Sequence, residues 1–139
     1  MNGSIAKSLS QYYKTEKEKL HPFTISRIEA GFPVSAKQYI ESIENAKKMQ
    51  QTLNKIFNKF DAIITPAAPG QAPRDLMNTG NAIFNGYWTM MGVPAISLPL
   101  LKGKDSLPIG VQIITSWNED FKLLKIAEFI LQETKKLAD

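Results

Sequence analysis

Residues 80–99 have the sequence GNAIFNGYWTMMGVPAISLP, whose two halves predict different elements. The aromatic and Met-rich run at 84–91 stops at Gly92, with Pro94 just beyond it, which predicts a short helix. Residues 95–98 form a short apolar run that predicts a buried strand. A helix followed directly by a buried strand is typical of a layered α/β unit, and the flanking sequence extends this pattern on both sides.

Two further apolar runs predict strands. Residues 61–65 change from helical spacing to a continuous apolar run that ends at Pro66, which predicts a strand buried on both faces. Residues 109–115 follow a polar turn and predict a third strand. Between the first two strands, residues 66–73 contain three prolines and a glycine, so we expect a loop there.

Helical spacing precedes the strands. Residues 5–20 carry a loose amphipathic pattern that stops before His21, and a helical turn follows near 24–30. Ser35 and Gln38 have the spacing of a capping box, a pair of reciprocal side-chain hydrogen bonds to the backbone. That spacing predicts the start of a long helix.

A last helix is predicted at 119–136, capped by Ser116 or Asn118. The expected fold class is therefore α/β, with about three buried strands of a mixed sheet and about four helices in a single unit covering residues 1–139. Several of these elements are apolar on more sides than such a small set can cover. We therefore expect exposed hydrophobic surface that requires a partner.

The composition excludes several classes of function. The chain of 139 residues has no cysteine, which rules out a disulfide framework and a thiolate nucleophile. Its net charge is +4, and the lysines at 13–19 alternate with acids, which is typical of a solvated helix face. Only Arg27 and Arg74 offer guanidinium groups for phosphate contacts. No apolar run approaches the ~18 residues of a spanning helix. We expect a cytoplasmic protein that binds neither nucleic acid nor a membrane.

The sequence contains no complete catalytic centre of a common type. It has no Gly-x-Ser-x-Gly elbow and no His-Glu-x-x-His pair. The single histidine, His21, stands before a proline and is typical of a surface or capping residue. Residues 80–94 combine side-chain amides with aromatic rings, which suits the wall of a binding pocket. The alternative for that segment is an aromatic core helix.

Several motifs resemble, in order and spacing, the C-terminal part of amidase-signature enzymes. The resemblance covers residues 5–131, nearly the whole chain. It implies part of a large mixed sheet wrapped by helices. The stretches that carry it are residues 26–31 (SRIEAG), 60–66 (FDAIITP), 84–99, 107–114 (LPIGVQII) and 119–129.

Members of this family hydrolyse or transfer amide groups with a Ser, a cis-configured Ser and a Lys, and without a metal or organic cofactor. The family's lysine and its Gly/Ser-rich nucleophile segment precede everything that matches here. The resemblance therefore implies that this chain has no catalytic residue of its own and is inactive alone.

The resemblance also implies three substrate-binding candidates. Arg27 matches an arginine near a substrate carboxylate in some members, although a surface salt bridge is the alternative. Asn85 and Trp88 are the other candidates. The family's glutamine-dependent amidotransferases place an acid shortly before this helix, where Asn81 or Ala82 stands here, and this disfavours a glutaminase.

Two functional hypotheses follow. In the first, the chain is part of an amidase and its partner is an N-terminal amidase segment, so that a small amide substrate binds only in the complete enzyme. In the second, an amidase-like unit serves as a noncatalytic scaffold that self-associates or binds proteins through its hydrophobic surface. Both are consistent with exposed apolar side chains.

Overall fold

The computed structural model describes residues 1–75 and 79–136. The chain divides into two compact parts, which we call the N-terminal unit (residues 1–48) and the sheet unit (residue 49 onward). The described elements, besides a 3-10 turn at Lys17–Lys19, are helices α1 (Asn2–Thr15), α2 (Pro22–Glu29), α3 (Ala36–Phe57), α4 (Gly86–Met91) and α5 (Asp120–Lys136), with strands β1 (Ile63–Pro66), β2 (Ala95–Lys102) and β3 (Pro108–Ile114). The predicted α/β class is confirmed.

Close packing of α1 against α2 organises the N-terminal unit. Ala6 of α1 and Ile28 of α2 are buried between the helices. Gly31, just after α2, lies so close to α1 that a β-carbon there would overlap the carbonyl oxygen of Asn2 and come within 2.7 Å of the Ala6 Cβ. Glycine at this position therefore sets how closely the two helices approach.

Local capping interactions begin two helices where the sequence predicts them. His21 is a capping residue, because its Nδ1 accepts a hydrogen bond from the Phe23 amide at 3.2 Å at the start of α2. At the start of α3, Ser35 Oγ accepts from the Gln38 amide at 3.2 Å, and Gln38 Oε1 accepts from the Ser35 amide at 2.9 Å. The predicted capping box is therefore confirmed.

The sheet has the order β1-β3-β2, and every described pairing is antiparallel rather than mixed. A short turn joins β2 to β3, in which the Gly103 amide donates to the Leu107 carbonyl at 2.9 Å and the Ser106 amide to the Gly103 carbonyl at 2.9 Å. A connection this short can only join antiparallel neighbours, whereas parallel strands require a long crossover.

A β-bulge interrupts the pairing of β2 with β3. Leu98 pairs with Val111 and Leu101 with Ile109, so Pro99 and Leu100 together oppose one residue, Gly110. Proline cannot donate a backbone hydrogen bond, which explains the bulge at this point of an outer strand. A β-carbon at Gly110 would come within 2.5 Å of the Ser97 hydroxyl oxygen, so this position also favours glycine.

Helix α5 packs on one face of the sheet and forms the core with β2 and β3. The prediction that the strand at 61–65 is buried on both faces is wrong, because the residues of β1 alternate between inward and exposed positions, with Ile64 62% exposed. The residues of β2 also alternate between inward and exposed positions. Both are outer strands; only the central strand, β3, buries consecutive residues, Gln112 to Ile114. The buried core residues are Leu98, Ile113, Leu123 and Ala127.

Large apolar side chains remain exposed in both units, as the sequence predicts. None of the described helices combines the length and the apolar character needed to cross a membrane. In the N-terminal unit the exposed residues include Tyr12, Phe23, Phe32, Tyr39, Ile40 and Ile43, and in the sheet unit Ile64, Leu101, Trp117, Phe121, Leu124 and Phe129.

Replacing Gly31 with Ala will destabilise the chain by about 1–3 kcal/mol, because the added methyl group forces α1 away from α2. Urea unfolding followed by circular dichroism measures the change. Gly86→Ala is the matched control, because its β-carbon would meet nothing within 4 Å. Equal stabilities of the two variants would contradict the close-packing interpretation.

Candidate functional site

The segment that the sequence singles out as a pocket wall includes α4 and the residue before it. Asn85 precedes the helix, and its backbone carbonyl accepts hydrogen bonds from the Thr89 amide at 3.1 Å and the Thr89 hydroxyl at 3.0 Å. Gly92 ends the helix in the left-handed conformation, with φ of 66°. This turn directs the chain into β2 within three residues.

A second contact fixes the C-terminal end of α4. Gln50 of α3 donates from its side-chain nitrogen to the Met91 carbonyl at 2.6 Å. That carbonyl lies in the last turn of the helix, where carbonyl groups lack intrahelical partners. The contact therefore satisfies an otherwise unpaired acceptor and ties α4 to the part of α3 that belongs to the sheet unit.

A row of polar residues crosses one face of the sheet. Thr65 of β1, Gln112 of β3 and Ser97 of β2 are direct partners in the strand register. Paired residues of a sheet project to the same face, so this row lies on one side. Gln112 is only 8% exposed. A side-chain amide buried this far requires hydrogen-bond partners.

Gln112 has those partners. Its Nε2 donates to Asn85 Oδ1 at 2.9 Å, and its Oε1 lies 3.4 Å from the hydroxyl of Thr65, which donates to it. Asn85, predicted as a pocket residue, is thus held by a strand residue. Because its oxygen faces Gln112, its Nδ2 group is left as a donor, with no acceptor for it among the described residues.

Trp88 lines an apolar pocket of about 310 Å³ between α4 and the C-terminal half of α3. Its Nε1 is buried and has no hydrogen-bond partner in the part of the chain that the structure describes. An unsatisfied buried donor is rare in proteins and calls for an acceptor. The other residues that line the pocket are Met49, Thr52, Leu53, Ile56, Tyr87 and Met91.

Arg27 lies in the N-terminal unit, whereas Asn85 and Trp88 lie in the sheet unit. Its Nε donates to Asn2 Oδ1 at 2.8 Å, and its guanidinium carbon is 5.8 Å from the centre of the Phe23 ring. It makes no salt bridge within residues 1–75 and 79–136. The terminal nitrogens of a half-buried guanidinium are therefore available to a carboxylate.

A compact surface triad also forms in the N-terminal unit. The Tyr13 hydroxyl donates to Glu29 Oε1 at 2.6 Å, and Lys17 Nζ donates to the Tyr13 hydroxyl oxygen and to Glu29 Oε1, both at 2.9 Å. Hydrogen bonds to Tyr13 and then Glu29 raise the pKa of Lys17. These three side chains therefore satisfy one another's polar groups at the surface of the N-terminal unit.

The sequence did not single out Gln112, Thr65 or Gln50. A detectable signal exists for Gln112, because it is the one polar side chain within the strand Pro108–Ile114. A polar residue that breaks an otherwise apolar strand indicates a specific partner. That partner, Asn85, lies 27 residues away in sequence, and no local sequence pattern identifies it.

Removing the Gln112 to Asn85 hydrogen bond will cost about 1–3 kcal/mol of stability, because a buried amide or its partner is left unsatisfied. Gln112→Leu, Asn85→Ala and the double variant form the test, measured by urea unfolding. The double variant will lose less stability than the sum of the single variants. Strict additivity would contradict the contact.

Replacing Tyr13 with Phe will raise the pKa of Glu29 toward its ordinary value of 4.5, because hydrogen bonds from Tyr13 and then Lys17 lower it. A carboxyl group with a depressed pKa adds stability above its ordinary pKa, and this is lost as the pH falls through the folded-state pKa. Carboxyl titration by NMR measures the shift. Tyr12→Phe is the control and will leave Glu29 unchanged.

Comparison with known proteins shows which family the chain is similar to. The family model described as Amidase matches residues 2–124. The chain is 31% identical over 144 residues to one subunit of the glutamyl-tRNA(Gln) amidotransferase of Clostridium botulinum (strain Eklund 17B / Type B), covering 95% of this chain and 30% of that protein. It is 28% identical over 138 residues to the equivalent protein of Koribacter versatilis (strain Ellin345), covering 90% and 29%.

A solved structure supports the same fold. The crystal structure of an amidase superposes with a TM-score of 0.81 at 21% identity, covering 95% of this chain and 33% of that one. The described chain therefore spans about a third of the length of the proteins it matches.

Proposed function

The chain belongs to the amidase-signature family, and from this membership we propose that it is the C-terminal part of an enzyme that hydrolyses a carboxylic amide. The observation that carries the proposal is the family match over residues 2–124 together with the superposition of nearly the whole chain on one third of an amidase. Its motifs correspond to the family's C-terminal stretches, which supports the position assigned to it.

In this proposal the chain supplies sheet and pocket wall, and another segment supplies the chemistry. The family's Ser, cis-Ser and Lys belong to segments that nothing in this sequence resembles. Amide hydrolysis without an activated nucleophile loses most of its rate, so the chain alone is inactive.

We propose two polar side chains, Asn85 of the sheet unit and Arg27 of the N-terminal unit, as substrate contacts in the complete enzyme, each from its own surroundings. The Asn85 amide is oriented by Gln112, so that its Nδ2 can donate to a substrate carbonyl. The guanidinium of Arg27 is positioned by Asn2 and keeps terminal nitrogens for a substrate carboxylate. Trp88 contributes to the apolar part of the pocket wall.

The alternative is a noncatalytic scaffold or protein-interaction module with an amidase-like fold. Phe121, Leu124 and Phe129 on α5 are exposed. They support the scaffold and the enzyme part equally, because in both functions a partner would cover this apolar surface. The two functions differ in what the chain does when the rest of an amidase is supplied.

Mixing the purified chain with the N-terminal two thirds of a family amidase tests the proposal. We expect a heteromeric species by light scattering, together with ammonia release from an amide substrate that neither part produces alone. The control is an N-terminal part whose nucleophilic serine is replaced by alanine, which will associate without releasing ammonia. A self-assembled species that stays inert with or without that part would instead support the scaffold.

In the reconstituted enzyme, Arg27→Ala will raise KM for carboxylate-bearing amides about tenfold or more, and Arg27→Lys will recover part of the loss. Amides without a carboxylate will be unaffected. Arg74→Ala is the matched control, because that arginine pairs with Asp105 at 2.8 Å and has no proposed substrate role. Equal effects on both kinds of amide would argue against a carboxylate contact.

A further inference from the structure

The side chain of Arg27 is held at two points within the N-terminal unit. Its Nε donates to Asn2 Oδ1 at 2.8 Å in a partly buried contact, and its guanidinium carbon lies over the Phe23 ring, 5.8 Å from the ring centre. Neither contact uses the two terminal nitrogens. A guanidinium group has five N–H donors, so four of them remain for another acceptor.

Gly31 allows Asn2 to reach Arg27. A β-carbon at Gly31 would overlap the carbonyl oxygen of Asn2, so glycine is what lets the start of α1 lie this close to the end of α2. The two side chains are 25 positions apart in sequence, and this close approach brings them together. The contact therefore depends on the packing of α1 against α2.

The residue that anchors Arg27 is uncharged. The oxygen of the Asn2 amide accepts the hydrogen bond but does not neutralise the guanidinium charge. The acid nearest in sequence, Glu29, accepts hydrogen bonds from Tyr13 and Lys17, and residues two positions apart on a helix do not face each other. In the part of the chain that the structure describes, Arg27 thus keeps a positive charge without a carboxylate partner.

We propose that Asn2 is a positioning residue that sets how strongly Arg27 binds the carboxylate of an amide substrate. The inference rests on the proposed function, in which Arg27 contacts that carboxylate. Because Nε is occupied by Asn2, the two terminal nitrogens form the pair that is left for a bidentate contact with a carboxylate. Asn2 acts through Arg27 and makes no contact with the substrate itself.

The amide of Asn2 has two separate effects on Arg27. It orders a long side chain before the substrate arrives, so binding does not have to restrict that side chain. It also leaves the positive charge uncompensated, which an acid at the same position would not do. Two substitutions separate these effects, because Asn2→Ala removes the ordering and Asn2→Asp removes the neutrality.

Acetate is a carboxylate probe that tests the site in the chain alone. NMR at the Nε–Hε group of Arg27 will show a shift with acetate at concentrations at which chloride causes none. Asn2→Asp will require about threefold more acetate or higher for the same shift, because the added charge competes with the probe. Asn2→Ala will require roughly two- to tenfold more, and its Nε–Hε group will lose order.

The stability of Asn2→Asp separates positioning from a structural role. The substitution keeps the shape of the side chain and an accepting oxygen, and it places an acid in the first turn of α1 beside a guanidinium group. The variant will therefore unfold at an equal or higher urea concentration than the unmodified chain while it binds acetate less well. A purely structural contact would not weaken acetate binding in a more stable variant.

Asn45→Asp is the matched control, because it makes the same isosteric change at an exposed position of α3. It will bind acetate like the unmodified chain. In the reconstituted enzyme, Asn2→Asp will raise KM about threefold or more for amides that carry a carboxylate, and it will leave kcat and the KM for other amides unchanged.

The outcomes distinguish this proposal from the proposed function. Equal acetate titrations of Asn2→Asp and the unmodified chain, or no acetate shift in the unmodified chain, would overturn the role of Asn2 whether or not the reconstituted enzyme is active. A substrate preference that changes in Arg27→Ala but not in Asn2→Asp would also overturn it. Weaker acetate binding in Asn2→Asp, without ammonia release from the reconstituted sample, would support the positioning of Arg27 and contradict the proposed function.

Discussion

The packing of α5 across β2 and β3 is the interaction on which the sheet unit depends. Ile113 of the central strand is fully buried and meets Leu98, Leu123 and Ala127 in one cluster. Burial of such side chains stabilises a fold by about 1.5–3 kcal/mol each. Because β3 bonds to both other strands, this cluster also fixes the position of β1, and with it the direction of the polar row on the other face.

That polar row is what gives the candidate site its geometry. A sheet packed on one helix has one face left for other contacts, and Gln112 places a side-chain amide there at a buried position. Its bond to Asn85 joins the strand to the start of α4, and the bond from Gln50 to the Met91 carbonyl holds the other end of the same helix. Asn85 and Trp88 are therefore oriented by residues that belong to other elements.

Much apolar surface remains open in both units of the chain. The chain spans about a third of the length of the relatives that it matches, and exposed apolar surface of this extent is typical of a surface that contacts a partner. An open strand edge is a liability in isolation, because it offers unpaired backbone groups to any other strand.

The sequence by itself determined the local features: the capping box at Ser35, the helix end at Gly92 and the capping role of His21 each depend on residues within a few positions. Family membership was also predicted, because several motifs match the family in order and spacing even where the overall sequence identity is low. Only the tertiary structure decided the antiparallel strand order and the contacts of Gln112 with Asn85 and of Arg27 with Asn2. These contacts join residues 25 or more positions apart. A local periodic pattern does not specify which distant polar groups form hydrogen bonds with each other.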